Sequence, residues 1–247
     1  MKIKEVYDFL DFIAPFNSAE EWDNCGLSVG SLQNDFTKIL VALDVTEEVI
    51  DEAVKIGAEL VVTHHPLIFS PLSKIESGSL VYKAVKSGVT FISSHTCLDK
   101  SAGGVNDCLA VKIGLKNIRH SGVDGFLKLG DIDPISAEDF ALQIKENLNT
   151  GVDFTICSKL IKTVALCSGG GGDFITMAAE IGADALVTGE AKHHEFLEAK
   201  RLDVALFAAG HYETEAVVLE FLRKSLALQF EDAEVVVSKS VSPTKIV

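Results

Sequence analysis

The chain has 247 residues, of which 47% are hydrophobic and 23% charged, a balance that excludes disorder as its main state and leaves room for one or two domains. Lys and Arg number 22 and Asp and Glu 36, and the resulting formal charge of −14 opposes a nucleic-acid partner or attraction to an anionic membrane. No apolar run reaches the ~18 residues of a membrane span, and the charged start Met1-Lys2-Ile3-Lys4-Glu5 carries no signal core, so a cytoplasmic protein is expected.

In chain order, Ile3, Val6, Tyr7, Leu10, Ile13 and Ala14 fall at helical spacing, and Pro15 stops the run. Residues 38–44 read as a buried strand. Thr46 is placed to cap a helix to about Ile56, with Glu47 and Glu48 in its first turn and Gly57 at its end. Glu59–Thr63 is a strand, Leu80–Lys86 a helix, Val89–Ser93 a strand and Gly104–Ile113 a helix. The region 118–160 has weaker periodicity and is expected to hold a crossover and a helix at Ala137–Leu148. The order then repeats: strand Lys162–Ser168, a glycine turn, helix Phe174–Ile181, strand Ala185–Thr188, helix Ala191–Lys200, strand Val204–Ala208, a long helix Tyr212–Leu228 and a closing strand Val235–Ser238. Strands alternating with helices predict parallel βαβ units. Five scattered cysteines (Cys25, Cys97, Cys108, Cys157, Cys167), with no C-x-x-C pair, argue against a disulfide framework.

The repeat reaches single residues. Ile56-Gly57-Ala58-Glu59-Leu60-Val61-Val62-Thr63 echoes Ile181-Gly182-Ala183-Asp184-Ala185-Leu186-Val187-Thr188, and Phe91-Ile92-Ser93-Ser94-His95 echoes Phe207-Ala208-Ala209-Gly210-His211. We therefore expect two duplicated α/β lobes, residues 1–120 and 121–247, with 118–160 as an inter-lobe segment and a metal site between the lobes. In open α/β sheets ligands gather beyond the carboxyl ends of strands, and four of the seven histidines stand at such ends: His64, His65, His95 and His211.

Adjacent His64 and His65 on a strand would face opposite sides and chelate one ion poorly, but Pro66 ends the ladder and permits a splay toward two ions. His95 and Asp99, and His211 and Glu215, are each four residues apart, the spacing that places two side chains on one helical face. Four imidazoles and two carboxylates at strand ends suit a two-metal site, with nitrogen and oxygen donors fitting Zn, Mn, Fe, Co or Ni. Cys97, between His95 and Asp99, invites attention but no assignment. The Gly169–Gly172 turn between strand and helix is either a phosphate-holding turn or a tight structural turn. Thr188–Glu195 follows the echo strand, with Glu190 as a proton shuttle and His194 as an acid or substrate contact; a plain polar helix start is the alternative. In Trp22-Asp23-Asn24-Cys25-Gly26-Leu27, Asn24 either orients a ligand or belongs to a structural turn.

This set of motifs, together with Gly103-Gly104-Val105-Asn106-Asp107 and Thr188-Gly189-Glu190 with His193-His194, resembles the NIF-three-like family, whose bacterial members are often labelled GTP cyclohydrolase 1 type 2 homologues. The resemblance runs from about residue 3 to the C-terminus. It implies a duplicated α/β fold, a dinuclear metal site and a toroidal homohexamer. Carried over by position, it implies His64, His65, Asp99, His211 and Glu215 as ligands, with His95 a family histidine near the metals.

The reading that follows is a hydrolase dependent on two divalent ions, acting on a small nucleotide-like or phosphorylated substrate, with GTP ring opening and formate release tried first. Glu190 or His194 would manage protons. The alternative is a non-catalytic metal-binding ring that engages protein partners.

Overall fold

The computed structural model describes residues 1–122 and 125–245; residues 123–124 of the expected inter-lobe segment, and 246–247, lie outside the described residues. Contacts divide the chain into two compact units, Met1–Ala102 with Leu219–Val241, and Gly103–Val218 with the residues from Ser242.

The first unit opens with α1 (Ile3–Ile13), which buries the Ile3, Val6 and Leu10 stripe. It continues through β1 (Gly26–Val29), β2 (Lys38–Ala42), α2 (Glu47–Ile56), β3 (Leu60–Thr63), α3 (Leu80–Ser87), β4 (Thr90–Ser93) and α4 (Thr96–Lys100). The second unit holds α5 (Val105–Lys112), β5 (Lys116–His120), β6 (Lys128–Ile135), α6 (Ala137–Leu148), β7 (Asp153–Phe154), β8 (Ile161–Cys167), α7 (Ile175–Glu180), β9 (Ala185–Thr188), α8 (His193–Leu202), β10 (Ala205–Ala208) and α9 (His211–Glu215). Helix α10 (Val218–Gln229) and strand β11 (Glu234–Val237) return to the first unit. Among the described residues no helix is long and apolar enough to cross a membrane.

The first sheet has the order β1-β4-β3-β2-β11 and the second β5-β6-β8-β9-β10-β7. Each has a parallel core, β2-β3-β4 in one and β8-β9-β10 in the other. Local chemistry sets the elements. Thr46 Oγ1 accepts the Val49 N–H at 3.2 Å to start α2, and Gly57 ends it at φ +70°, in the left-handed region that glycine enters at little cost. Strands of the second core are apolar on both faces, as parallel strands covered by helices must be. Val164, Leu166, Val187 and Phe207 enter one cluster, and Ala165, Cys167, Leu186 and Leu206 the other.

The duplication is visible in hydrogen bonds. Glu59 accepts the N–H groups of Thr37 and Lys38 at the start of β2, and its echo Asp184 accepts those of Lys162 and Thr163 at the start of β8. The second echo is offset by one residue. Thr63 pairs with Ser93 and Thr188 with Ala208, so the sheets equate Phe91 with Leu206, not with Phe207. Because side chains alternate along a strand, the two phenylalanines face opposite sides of their sheets: Phe91 packs with Val61, and Phe207 with Val187.

Two elements depart from the pattern expected of them. The weakly periodic region 118–160 overlaps antiparallel strands β5 and β6 that extend the second sheet; β5 is an exposed edge, so it carries no apolar alternation to read. The helix expected at Tyr212–Leu228 is two, α9 and α10, separated at Ala216. The closing strand pairs in parallel with β2. Ahead of β4, the Trp22–Leu27 segment leads into β1, which lies antiparallel on β4.

Candidate metal centre

In the first unit, register brings β2, β3 and β4 to a common carboxyl end, and the side chains just beyond it carry the chemistry. Ser94 N donates to Thr63 O at 2.9 Å and His65 N to Leu43 O at 2.9 Å, so the ladder continues past the strand ends and fixes His64, His65 and His95. Their rings form a triangle with centroid separations of 4.9, 5.0 and 5.2 Å. One ring nitrogen from each lies within 4.8 Å of the others. His64 is fully buried, and Asp99 Oδ1 on α4 stands 3.5 Å from its Nε2. Trp22 and Phe69 meet the His95 ring edge-on at 5.9 and 5.7 Å, walling the group with apolar surface.

The other nitrogen of each ring is engaged. His64 Nδ1 donates to Ser94 O at 3.0 Å, His65 Nδ1 to Asp44 Oδ1 at 2.7 Å, and His95 Nδ1 to Asp23 Oδ1 at 2.9 Å. A carbonyl or carboxylate can only accept, so Nδ1 of each ring carries a proton. That is the arrangement in which metal-binding histidines are held by an outer acceptor. Asp23 is buried, which works to raise its pKa, but hydrogen bonds from His95 and from Thr96 N and Oγ1 hold its carboxyl well below the usual carboxylate range. It therefore stays an anion behind His95.

In the second unit the equivalent strand ends carry a different set. His211 begins α9 and Glu215 lies one turn on, with His211 Nε2 3.2 Å from Glu215 Oε1 and Nδ1 3.2 Å from Glu190 Oε2. The bond to Glu215 first, and Glu190 after it, push His211 up to about 9 against the burial that works to lower it. Two glycines make the space. A Cβ on Gly169, which sits at φ +60°, would collide with Glu215 Oε1. A Cβ on Gly189 would lie 2.7 Å from Gly169 O and Thr214 Oγ1 and 2.8 Å from His211 Cα. Gly189 is the register equivalent of His64, and the packing of α9 over this point leaves no room for a side chain there.

Of the residues expected from sequence, His64, His65, His95 and Asp99 meet in one unit, and His211, Glu215 and Glu190 in the other. His194 lies outside that group: it is three-quarters exposed on α8, with Glu195 Oε1 at 3.8 Å. Asn24 Nδ2 donates to Ile68 O at 2.6 Å, tying the Trp22–Leu27 segment to the stretch after β3. The turn Gly169–Gly172 directs Gly169 N to Thr214 Oγ1 and Gly171 N to Thr188 Oγ1. A cavity of about 780 Å³ beside it is lined by Asp153, Asp173, Glu190, Glu195 and Glu213 against Lys192. Sequence reasoning missed Asp23 and Asp44. Asp44 ends the KILVALD strand run and Asp23 lies in the Trp22–Leu27 motif, but their partners are 21 and 72 residues away.

The donor set fits divalent transition metals: in the first unit imidazoles held through Nδ1 beside a carboxylate, in the second an imidazole with a carboxylate at each ring nitrogen, and no thiolate in either.

Comparison with known proteins places the chain in context. The profile described as Duf34/NIF3 (NGG1p interacting factor 3) matches residues 1–243. A Clostridium perfringens protein named "GTP cyclohydrolase 1 type 2 homolog" is 34% identical over 97% of each chain. A Campylobacter jejuni protein of the same name is 33% identical over 92% of each. The crystal structure of a Staphylococcus aureus hypothetical protein superposes with a TM-score of 0.92 at 31% identity, covering 100% of this chain and 99% of that one.

Proposed function

This chain belongs to the Duf34/NIF3 family, and from that premise we propose that it is a hydrolase dependent on two divalent metal ions, acting on a small nucleotide-like or phosphorylated substrate. The observation that carries the reading is a set of three imidazoles whose Nδ1 atoms face Ser94 O, Asp44 and Asp23, with one ring nitrogen of each within 4.8 Å of the others. His64, His65, His95 and Asp99 would hold metal in the first unit, and His211 and Glu215 in the second. Bound there, Zn, Mn, Fe, Co or Ni ions supply Lewis acidity for hydrolysis. Asp23 and Asp44 keep the rings in place. Glu190, two-thirds exposed just past β9 and 3.2 Å from His211 Nδ1, takes and returns protons. His194 is a weaker candidate for that role, because it stands apart from the group. The assembly we propose is a homohexamer.

GTP is the first substrate to test, because curated relatives carry the cyclohydrolase name. Protein stripped with chelator should be inactive, and reloading should restore formate release from GTP. Glu190→Gln should keep metal and lose turnover.

One observation favours a second reading, a metal-binding assembly without catalysis. The Gly169–Gly172 turn gives two of its N–H groups to threonine side chains, and the charged residues lining the adjoining cavity are five carboxylates against one lysine, a poor setting for a triphosphate. Fully metallated protein that leaves GTP, other nucleotides, phosphoesters and cyclic amides unchanged would decide for this reading.

A further inference from the structure

Two cysteines separated by most of the first unit's sequence meet behind the histidine group, and neither is used by the metal reading. Cys25 lies just before β1, and Cys97 is in the first turn of α4. Pairing of β1 with β4, Gly26 opposite Ser93, carries the first to the second. Their Sγ atoms are 3.4 Å apart. Cys97 is fully buried and Cys25 partly exposed. The surroundings are polar on one side: Ser94 Oγ lies 3.3 Å from Cys97 Sγ, and Cys25 Sγ accepts the His95 N–H at 3.3 Å and donates to Asp23 Oδ2 at 3.2 Å. Cys108 and Cys157, in contrast, each set the thiol against a backbone carbonyl.

We infer that Cys25 and Cys97 form a reversible oxidative modification site, closed to a disulfide by a peroxide. The sulfurs need to approach by about 1.4 Å to reach a normal S–S bond of ~2.05 Å. Cys25 precedes the edge strand, where a side-chain rotation can supply that movement. The partly exposed Cys25 sulfur attacks one peroxide oxygen; the O–O bond breaks, and a sulfenic acid and one water form. The Cys97 sulfur then attacks the sulfenic sulfur, the S–S bond forms, and the hydroxyl leaves with the thiol proton as a second water. Two thiols lose two electrons and two protons, and the peroxide is reduced to two waters. A small dithiol reverses the change by exchange.

Closure is felt at His95. The Cys25 thiol no longer donates to Asp23, the carboxylate that holds His95 Nδ1, and the sulfur that accepts the His95 N–H moves. This consequence does not depend on a bound ion, so the test uses chelator-treated full-length protein.

Reduced protein is exposed to hydrogen peroxide, quenched and denatured, and its thiols are counted. The count should fall from five to three, and dithiothreitol should restore it. Peptide mapping should find Cys25 joined to Cys97, lighter by two hydrogens than the separate peptides. Cys97→Ser should form no internal disulfide, while Cys108→Ser should behave as the parent. The His95 ring signals in NMR should shift on oxidation of the parent protein and return on reduction. A count that stays at five in excess peroxide, a loss that dithiothreitol does not reverse, or a linkage between other cysteines would overturn the assignment. The parent protein's peptide map decides the matter even if a variant fails to fold. A disulfide that forms without moving the His95 signals would overturn the coupling to the histidine.

Discussion

Gly189→Ala tests whether the second unit has room for a side chain at the point equivalent to His64. The added methyl would lie 2.7 Å from Gly169 O, 2.7 Å from Thr214 Oγ1 and 2.8 Å from His211 Cα. Each distance is about 0.6–0.7 Å short of ordinary van der Waals contact. The obstacles cannot easily retreat. Gly189 N donates to Gly169 O at 2.9 Å, Gly210 N donates to Gly189 O at 2.9 Å, and Thr214 Oγ1 is held by the Gly169 N–H at 3.1 Å. Overpacking of this kind costs roughly 2–3 kcal/mol. For a chain of this size that corresponds to a fall in Tm of roughly 4–12 °C. Gly170→Ala is the control in the same turn, since a Cβ there meets nothing within 4 Å. Thermal and urea unfolding of both variants provide the measurement. If Gly189→Ala is no less stable than Gly170→Ala, the steric account of this glycine is wrong.

Asp44→Ala removes the acceptor behind His65 Nδ1 and should weaken zinc binding by roughly 10–100-fold in a competition titration with a chromophoric chelator, with the fold unchanged by circular dichroism; affinity within twofold of the parent would refute the tautomer argument. Glu59 and Asp184 are both held below their ordinary pKa: burial works to raise them, and the backbone N–H donors, with Lys159 at Asp184, outweigh it. Their contribution is therefore complete above the unfolded pKa and is lost as pH falls through the lowered folded one. Glu59→Gln should cost roughly 1–2 kcal/mol at neutral pH, and the difference from the parent should shrink below about pH 4; a difference independent of pH would exclude the charge as its source. His194→Ala should leave metal content as in the parent, measured by elemental analysis, because the ring stands exposed on α8. Light scattering should give six times the chain mass, and a monomer at micromolar concentration would refute the hexamer.

Much of the fold was legible because local rules sufficed. The α1 stripe, the Thr46 cap and the Gly57 stop act within a few residues, and a doubly covered parallel strand must be apolar throughout. The Glu59 and Asp184 echo was visible because both residues do the same work at the start of a neighbouring strand. Edge strand β5 was not legible, since exposed residues need no pattern, and neither was the break at Ala216, since α9 and α10 both continue helical spacing.

The histidines and their carboxylates could be listed from the sequence because an imidazole at a strand end is rare and spacing of four puts two groups on one face. Their orientation could not. Which nitrogen carries the proton depends on Asp44 and Asp23, brought from other strands by register, and the one-residue offset between β4 and β10 reverses the face of an apparently matched phenylalanine. The pairing of β11 with β2, and of Cys25 with Cys97, likewise joins residues whose separation along the chain carries no signal. A linear pattern records what each residue needs nearby; hydrogen-bond register and packing choose which distant partner meets that need.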